Sequence, residues 1–263
     1  MEKFGFIGMG NMAKAIAKGF ADRKVVSAGS MYAYAPNQEK LRKNSQEIGF
    51  NCKESLEGLI SECDTLIMAC KPYQIEQILK DNASGFEGKV LLSVAAGWDH
   101  DKYRAFLPKT RIQFIMPNTP AMVGAGVFLF EETTSLTGEE LDRAKEMFSA
   151  LGMVETLPSH LMGIGGAVSG CGPAFVDLFM ESYADAAVKY GIPRATAYKL
   201  VAKTVEGSAK LQMETGLHPG ELKDNVCSPG GTTIRGVGAL EEKGFRHACI
   251  SSIDAIMDMK KGK

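Results

Sequence analysis

Short apolar runs alternate with helical patterns over the first half of the chain. Most of these runs are apolar throughout, which is typical of strands covered on both faces of a sheet. The predicted strands are KFGFIG (3–8), MYAYA (31–35), DTLIMAC (64–70), KVLLSVA (89–95), RIQFIM (111–116), GVFLFE (126–131) and MVETL (153–157). Helices are predicted over 11–21, 38–48, 73–82, 99–106 and 139–150. This alternation predicts a doubly wound α/β domain.

A different pattern begins at Pro173, where apolar positions follow a helical repeat and no strand is predicted. The predicted helices cover 173–191, 193–216 and 245–259. The first two begin with Pro and end with Gly, as helices often do. A glycine-rich passage near 158–172 separates the two patterns. The sequence therefore predicts an α/β domain over 1–158 and an all-α domain over 165–263.

The composition is ordinary for a soluble globular protein, since the 263 residues are 45% hydrophobic and 23% charged, with a net charge of −1. No basic field indicates nucleic acid or an anionic membrane as a partner. No window approaches the roughly 20 apolar residues that span a bilayer, and the opening MEKFGFIGMGNM lacks the features of a signal peptide. The six cysteines form no CxxC pair and the four histidines have no metal-ligand spacing. We therefore expect reduced, mainly buried thiols, no metal and a cytoplasmic location.

The stretch GFIGMGNMAKAI (5–16) follows the first predicted strand and opens the first helix. Gly8, Gly10 and Ala13 form the pattern G-x-G-x-x-A. The first glycine permits a tight turn, the second lets the backbone approach a pyrophosphate, and the alanine allows close helix–strand packing. The helix N-terminus offers free N–H groups and a positive dipole end. An ordinary turn of small residues is the alternative. In this context the motif predicts a dinucleotide-binding Rossmann domain, and hence hydride transfer.

The end of the second strand indicates which dinucleotide binds. A site for NAD usually has Asp or Glu there to hold the ribose 2′-hydroxyl. This chain has YAPN (34–37) and no carboxylate before Glu39. The neutral Asn37, with Lys40 and Arg42 close by, favours the 2′-phosphate of NADP(H). NAD(H) stays possible, because a shift of this loop would bring another donor to the ribose.

Three more loops follow predicted strands, so they lie at the edge of the sheet where dinucleotides bind. In ACKPYQ (69–74), Lys71 either contacts the phosphates or ribose or is a solvated lysine before a turn. AAGW (95–98) and MPNTPAMVG (116–124) either flank a nicotinamide, with Asn118 as the polar contact, or are plain loops.

Candidates for acid–base catalysis are few in the second half. Between Glu146 and Val188 there is no lysine or arginine, and His160 is the only histidine. Reduction of a ketone normally needs a proton donor at the carbonyl oxygen. An imine nitrogen differs, because it can arrive protonated and hydride addition then neutralises its charge. The sequence thus favours an imine that is positioned rather than protonated by the protein.

Essentially the whole chain resembles the pyrroline-5-carboxylate reductase family. The likeness runs through GFIGMGNMA, ACKP, AAG, MPNTPAMVG, SGCGPAF (169–175) and, most specifically, HPGELKDNVCSPGGTTIRGVGALEEKGF (218–245). The resemblance implies an N-terminal Rossmann domain followed by an all-α domain that dimerises. It also implies reduction of the C=N bond of 1-pyrroline-5-carboxylate by NADPH or NADH to L-proline, the final step of proline biosynthesis.

The resemblance also implies site residues. The substrate loop is Ser228 to Thr233, in which Gly230, Gly231 and Thr232 bind the substrate and Thr233, the predicted catalytic residue, lies near the ring nitrogen. The cofactor contacts predicted from the loops and from the resemblance are Ile7, Gly8, Met9, Gly10, Asn11, Met12, Asn37, Ala69, Lys71, Pro72, Ala96, Gly97 and Asn118.

The segment SPGGTT (228–233) precedes a helical pattern, so its N–H groups can converge on an anion without an arginine. We expect this loop to bind the substrate carboxylate; a plain turn between helices is the alternative. AVSGCGPAFVDLF (167–179) is apolar nearly all round, more than a short domain buries alone. We therefore expect at least a dimer, built on residues 173–263.

One segment departs from the family pattern. The family usually reads close to DAVTALSGSGP where this chain has GIGGAVSGCGP (163–173), so Gly163, Gly166 and Cys171 replace Asp, Thr and Ser. These less polar residues leave open a related imine substrate or a slower enzyme, and they are the only feature that favours a non-catalytic dinucleotide-binding relative. A β-hydroxyacid dehydrogenase shares the two-domain plan, but it uses a lysine on the first helix of its second domain, where no lysine is expected here.

Overall fold

The computed structural model of the chain describes residues 2–260. The chain divides into two compact units, Met1–Cys171 and Gly172–Lys263. The first unit thus extends past the predicted boundary at 158 and includes the glycine-rich passage. Close packing explains the difference, because a Cβ on Gly165 would lie 2.6 Å from Leu157 Cδ1, and one on Gly166 would lie 2.1 Å from Met116 Sδ. Because these positions have no side chains, the passage packs directly against Leu157 and Met116 within the first unit.

A sheet of eight strands forms the centre of the first unit, in the order β3-β2-β1-β4-β5-β6-β7-β8. The strands are β1 (Phe4–Ile7), β2 (Met31–Tyr34), β3 (Asn51–Cys52), β4 (Thr65–Met68), β5 (Val90–Ser93), β6 (Arg111–Pro117), β7 (Gly126–Thr134) and β8 (Gly152–Leu157). Strands β1 to β6 are parallel, whereas β7 is antiparallel to β6 and β8 is parallel to β7. The chain order reverses between β1 and β4, and doubly wound sheets bind ligands at such a switch point.

Helices cover both faces of this sheet, which confirms the predicted α/β class. They are α1 (Asn11–Asp22), α2 (Gln38–Ile48), α3 (Leu56–Glu62), α4 (Pro72–Asn82), α5 (His100–Phe106), α6 (Gly138–Ser149) and α7 (Met162–Gly166). Phe6 and Phe20 are fully buried between the sheet and α1 on one face, and Leu79 and Tyr103 are fully buried on the other. Full burial of one such apolar side chain contributes about 1.5–3 kcal/mol. Coverage of both faces explains why the strands are apolar throughout.

The second unit contains only helices within its described residues. They are α8 (Gly172–Lys189), α9 (Arg194–Thr215), α10 (Pro219–Asn225), α11 (Thr232–Glu242) and α12 (Phe245–Lys260). The expectation that the first of these helices has no lysine is wrong, because α8 ends at Lys189. Among the described residues of this unit, only Ala184 and Ala197 are buried. The helices therefore bury little of their apolar surface within the unit.

Candidate active site

The carboxyl ends of β1, β2, β4, β5 and β6 lie along one side of the sheet, which we call the carboxyl edge. The loops at this edge cover 8–10, 35–37, 69–71, 94–99 and 118–125. These loops and the residues that flank them include every residue predicted to contact a dinucleotide. The fold therefore brings the predicted cofactor residues to one edge, although they are spread over more than a hundred positions of the sequence.

Gly8 lies where two of these loops meet. Its φ of 93° is in the region that favours glycine, and a Cβ there would lie 2.8 Å from the backbone nitrogen of Cys70. The N–H of Gly8 donates to Tyr34 O over 2.8 Å, and the N–H of Ala69 donates to Ile7 O over 2.9 Å. The turn after β1 is thus fixed between the ends of β2 and β4.

Gly10 leaves the start of α1 open. It is the exposed N-cap residue, no side chain caps the helix, and a Cβ on Gly10 would have no atom within 4 Å. The N–H groups of Asn11, Met12 and Ala13 have no partner within the helix. They are therefore available to an anion at the positive end of the helix dipole. A pyrophosphate fits this cradle, because no side chain stands before the N–H groups.

Ile7, Met9 and Cys70 lie beside the cradle at Gly10. Ile7 and Met9 are 1% and 5% exposed and belong to the apolar clusters on opposite faces of the sheet. Only their backbones can therefore contact a cofactor. Partial burial raises the pKa of the Cys70 thiol to about 11. At neutral pH this thiol is uncharged and does not repel a pyrophosphate.

The loops after β4 and β5 are tied together. Trp98 Nε1 donates to Pro72 O over 3.2 Å, and the Trp98 ring packs against Tyr103 with 5.1 Å between ring centroids. The hydroxyl of the fully buried Tyr103 lies 2.7 Å from Ser93 Oγ, at the end of β5. Lys71 is exposed before Pro72, the first residue of α4. Sequence reasoning misses the supporting role of Trp98, Tyr103 and Ser93, for which the only signal is the aromatic residue directly after AAG.

Ala96 and Gly97 form the exposed tip of the loop after β5. Gly97 has a φ of 81°, and its carbonyl accepts from Lys102 Nζ over 2.6 Å. No side chain longer than a methyl group stands at either position. The tip can therefore approach a flat ring closely, as the prediction of a nicotinamide contact requires.

Asn37 follows β2 and begins α2 as its N-cap residue. Its Oδ1 accepts from the N–H of Lys40 over 2.9 Å, and the side chain is exposed. Its amide N–H groups can donate to a ligand, which suits an anion better than the carboxylate of an NAD site does. The first acidic residue of α2 is Glu39, in its first turn.

Asn118 differs from the other predicted contacts, because its side chain is buried and bonded within the protein. It is 6% exposed. Its Nδ2 donates to Ser169 O over 3.0 Å, and its Oδ1 accepts from the N–H of Val127 over 2.8 Å. A direct contact between this side chain and a cofactor stays a prediction.

The 228–233 loop, in the second unit, leads into α11. The N–H of Gly231 donates to Ser228 O over 3.0 Å, which closes a turn, and Gly230 in that turn has a φ of 68°. Gly231 is the N-cap residue, and no side chain caps α11. The N–H groups of Thr232 and Thr233 thus have no partner within the helix. This is the geometry that carboxylate binding requires, with Thr233 exposed in the first turn.

Residues 2–260 contain neither a candidate metal site nor a disulfide bond. No group of three or more His, Cys, Asp or Glu side chains there is placed to hold a metal ion. All six cysteines are unpaired. The expectation of mainly buried thiols is wrong, because only Cys63 is buried whereas Cys171 and Cys249 are exposed.

Two family models match the chain. The model described as "NADP oxidoreductase coenzyme F420-dependent" matches residues 3–97, which contain the cradle at Gly10. The model described as "Pyrroline-5-carboxylate reductase dimerisation" matches residues 159–262, which contain the 228–233 loop. The two matches thus cover one candidate site each.

Relatives similar over the whole length of the chain carry the name pyrroline-5-carboxylate reductase. The pyrroline-5-carboxylate reductase of Treponema pallidum is 40% identical over 258 residues, which cover 96% of this chain and 98% of the relative. That of Escherichia coli is 40% identical over 259 residues, which cover 98% of this chain and 96% of the relative. The crystal structure of Plasmodium falciparum pyrroline carboxylate reductase with NADP bound has a TM-score of 0.89 and 30% identity, and covers 99% of this chain and 97% of that chain. The chain belongs to the pyrroline-5-carboxylate reductase family.

Proposed function

We propose that this protein reduces the C=N bond of 1-pyrroline-5-carboxylate to L-proline, with NADPH as the preferred reductant and NADH as a possible one. The observation that carries the proposal is a pair of uncapped helix N-termini, each behind a glycine: Gly10 before α1 and Gly231 before α11. The first suits a pyrophosphate and the second a carboxylate. Membership of the reductase family supports this assignment of the two anions.

Reduction of a protonated imine requires precise positioning of the substrate more than it requires an acid catalyst. When bound, NADPH supplies the hydride. The N–H groups of Thr232 and Thr233 hold the carboxylate of the imine, and the Thr233 hydroxyl orients its ring nitrogen. If the nitrogen is already protonated, hydride addition to the neighbouring carbon leaves the C=N electron pair on nitrogen and gives a neutral amine. No side chain has to donate a proton in that step, which agrees with the lack of lysine and arginine from Met147 to Val188.

The loop after β2 supports NADPH over NADH. Asn37 presents amide N–H groups and no negative charge at the carboxyl edge. Lys40 and Arg42, both exposed on α2, add positive charge near the same loop. A 2′-phosphate carries about −1.5 to −2 charges at neutral pH, so it gains most from this arrangement.

The second unit supports self-association into a dimer or a larger homo-oligomer. Its exposed large apolar side chains include Leu178 at 63%, Met213 at 69% and Ile250 at 62%. α8 and α9 also flank an open groove of about 630 Å³. A second copy of the unit would cover this surface.

A membrane is the other apolar environment to consider. Contrary to the expectation from the sequence, one run, Ser159–Lys189, is long and apolar enough to cross a bilayer by length and composition. Three carboxylates, Asp177, Glu181 and Asp185, follow one side of α8 at a spacing of four residues. Burying them in lipid is costly, so a protein partner fits this helix better. Six unpaired cysteines fit a reducing cytoplasm.

The test is a spectrophotometric assay with purified protein. We expect NADPH oxidation that depends on 1-pyrroline-5-carboxylate, with proline formed in equal amount and a higher kcat/KM for NADPH than for NADH. Light scattering at micromolar concentration should show at least a dimer. No turnover of the imine with either cofactor would overturn the proposed activity, and a stable, active monomer would overturn the proposed assembly.

A further inference from the structure

Residues Ala167–Cys171 form a π-helical turn at the end of the first unit. Such turns hold one extra residue, are rare, and are frequently found at functional sites. The widened turn changes which N–H groups reach the carbonyls, so some carbonyls need other partners. One carbonyl of this turn, that of Ser169, accepts from Asn118 Nδ2 over 3.0 Å.

Asn118 is suited to this contact because it both donates and accepts. Its Oδ1 accepts from the N–H of Val127 over 2.8 Å while its Nδ2 donates to Ser169 O. The residue is 6% exposed, and a buried amide is costly unless it is hydrogen-bonded. An aspartate of the same shape would keep the first bond. It would place an oxygen against the Ser169 carbonyl and lose the second.

Close packing of Gly166 on β6 also holds the start of the turn against the sheet. Gly166 lies so near β6 that a Cβ would approach Met116 Sδ to 2.1 Å. Ser169 Oγ donates to Gly165 O over 2.9 Å, which links the turn to α7. The turn is therefore held at its start by glycine packing and at Ser169 by Asn118.

The place of Asn118 gives this contact a function. It directly follows β6 at the carboxyl edge, on the β4–β5–β6 side of the switch point. In doubly wound sheets the ribose next to adenine lies at the end of the second strand, here at Asn37 beyond β2. The nicotinamide half therefore extends over the other side, toward β6. Val168, Gly170 and Cys171 are the exposed residues of the π turn that stands there.

We infer that Asn118 is a positioning residue: through its bond to Ser169 it fixes the π turn as the wall beside the nicotinamide end of the cofactor site. This inference rests on the proposed function. It assigns Asn118 a role in aligning the reacting ring rather than in holding the dinucleotide. A wall displaced by a fraction of an ångström slows hydride transfer more than it weakens the binding of a cofactor that is held mainly by its phosphates.

The test compares Asn118→Asp with wild type, measuring three quantities on the full chain. These are kcat for imine reduction at saturating NADPH, the Kd of NADPH from quenching of Trp98, the single tryptophan, and hydrogen–deuterium exchange over residues 163–173. We expect kcat to fall about tenfold or more, exchange to rise in that segment, and the Kd to change by less than about twofold because the phosphate cradle is untouched.

A matched control is Asn82→Asp. Asn82 Nδ2 also donates to a helix carbonyl, that of Ile78 over 2.9 Å, but it lies at the far end of α4, about 15 Å along the helix from the carboxyl edge. This variant should leave kcat and the exchange of residues 163–173 unchanged. An equal loss of kcat in the control would show a general effect of losing one amide and would overturn the inference.

The remaining outcomes are also decisive. Wild-type kcat in Asn118→Asp, or a loss of NADPH affinity that accounts for the whole defect, would overturn the positioning role. If Asn118→Asp gives no soluble protein, Asn118→Ser replaces it, since it removes the Nδ2 donor to Ser169 O without placing a charge in the buried site. We expect it to lower kcat about threefold with an unchanged Kd, and an unchanged kcat would contradict the inference. A wild type that does not turn over the imine would instead remove the proposed function.

Discussion

The two glycine loops, 8–10 and 228–231, leave helix N-termini open in different ways. At the first, protein atoms enclose the glycine, because a Cβ on Gly8 would lie 2.8 Å from the backbone of Cys70. At the second, Gly230 has an equally unusual φ of 68°, but a Cβ there would meet no atom within 4 Å. Both loops free N–H groups for an anion, yet only the first is built into the core.

The difference indicates what each glycine is for. Gly8 is required by the fold, since the backbone of the loop after β4 leaves no room for a side chain. Gly10 faces open space and has an ordinary φ of −78°, so the fold alone does not exclude a methyl group there. Gly230 also faces open space, but its φ of 68° disfavours any side chain. For Gly10 we infer that a ligand approaches the backbone, whereas Gly230 serves both the turn and the proposed approach of a ligand. The comparison therefore separates Gly8, which shapes the protein, from Gly10, which admits a ligand.

The largest expected effect comes from Gly8→Ala. The new Cβ meets backbone atoms that cannot rotate away, and the positive φ adds strain of about 1–2 kcal/mol. We expect a clear fall in the midpoint of thermal unfolding and a loss of NADPH affinity of about a hundredfold or more. Gly10→Ala is the control, and should unfold at the wild-type temperature. Equal destabilisation by both changes would erase the distinction between the two kinds of glycine.

Asn37→Asp tests whether Asn37 sets the preference for NADPH over NADH. A unit charge about 4 Å from one phosphate charge costs about 1 kcal/mol in water, and a 2′-phosphate carries up to two charges. We expect the ratio of kcat/KM for NADPH over NADH to fall about thirtyfold, which would reverse or erase the preference. Steady-state assays with both cofactors measure the ratio. A wild type that clearly prefers NADH, or a variant with an unchanged ratio, would contradict this role for Asn37.

Thr233→Ala tests whether the Thr233 hydroxyl positions the imine. One oriented hydrogen bond to the reacting imine contributes about 1–2 kcal/mol to the transition state. We expect a loss of about tenfold in kcat/KM for the imine, with the Kd of NADPH unchanged. Thr232→Ala tests whether the neighbouring hydroxyl is interchangeable, and should have the smaller effect. If Thr233→Ala lost only affinity for NADPH, Thr233 would act in the cofactor site, and its proposed role at the imine would be wrong.

The smallest effect is expected from Gly231→Ala. Its φ of −70° suits any residue, so the special dihedral in this loop belongs to Gly230 rather than to Gly231. The added Cβ would lie 2.4 Å from Ser228 Oγ, which a rotation of the serine side chain relieves, and 3.1 Å from the backbone oxygen of Ser228, which a small shift of the turn relieves. We expect KM for the imine to rise about threefold and the affinity of proline, as a competing carboxylate, to fall by a similar factor. Unchanged values for both ligands would show that the 228–233 loop is a plain turn.

Much of the fold follows from local patterns. The continuous apolar runs predict the seven longer strands within a few residues, because both faces of the sheet are covered. The pattern misses β3 and α3, which have two and seven residues and are too short for periodicity to show. α10 is also missed, although Pro219 at its start is a helix signal.

The candidate site is less predictable where it depends on distant residues. The G-x-G-x-x-A motif predicts the cradle because all its residues lie in one turn. The approach of Gly8 to Cys70 joins loops that are 62 positions apart, and Asn118 bonds Ser169 across 51 positions. No local pattern encodes such pairs. For the same reason, sequence reasoning treats Asn118 as a surface contact, whereas the fold buries it.

The most direct test of the two-loop account is a crossed comparison of Gly10→Ala and Gly230→Ala. Each variant is measured for its NADPH dissociation constant and, at saturating NADPH, for its Michaelis constant with the imine substrate. Both glycines face open space, so neither change has a steric reason to alter the other loop. We expect Gly10→Ala to weaken NADPH binding alone, and Gly230→Ala to raise the Michaelis constant for the imine alone. A Gly230→Ala variant with a wild-type Michaelis constant for the imine, or with weakened NADPH binding instead, would contradict the central claim that the second loop holds the substrate carboxylate.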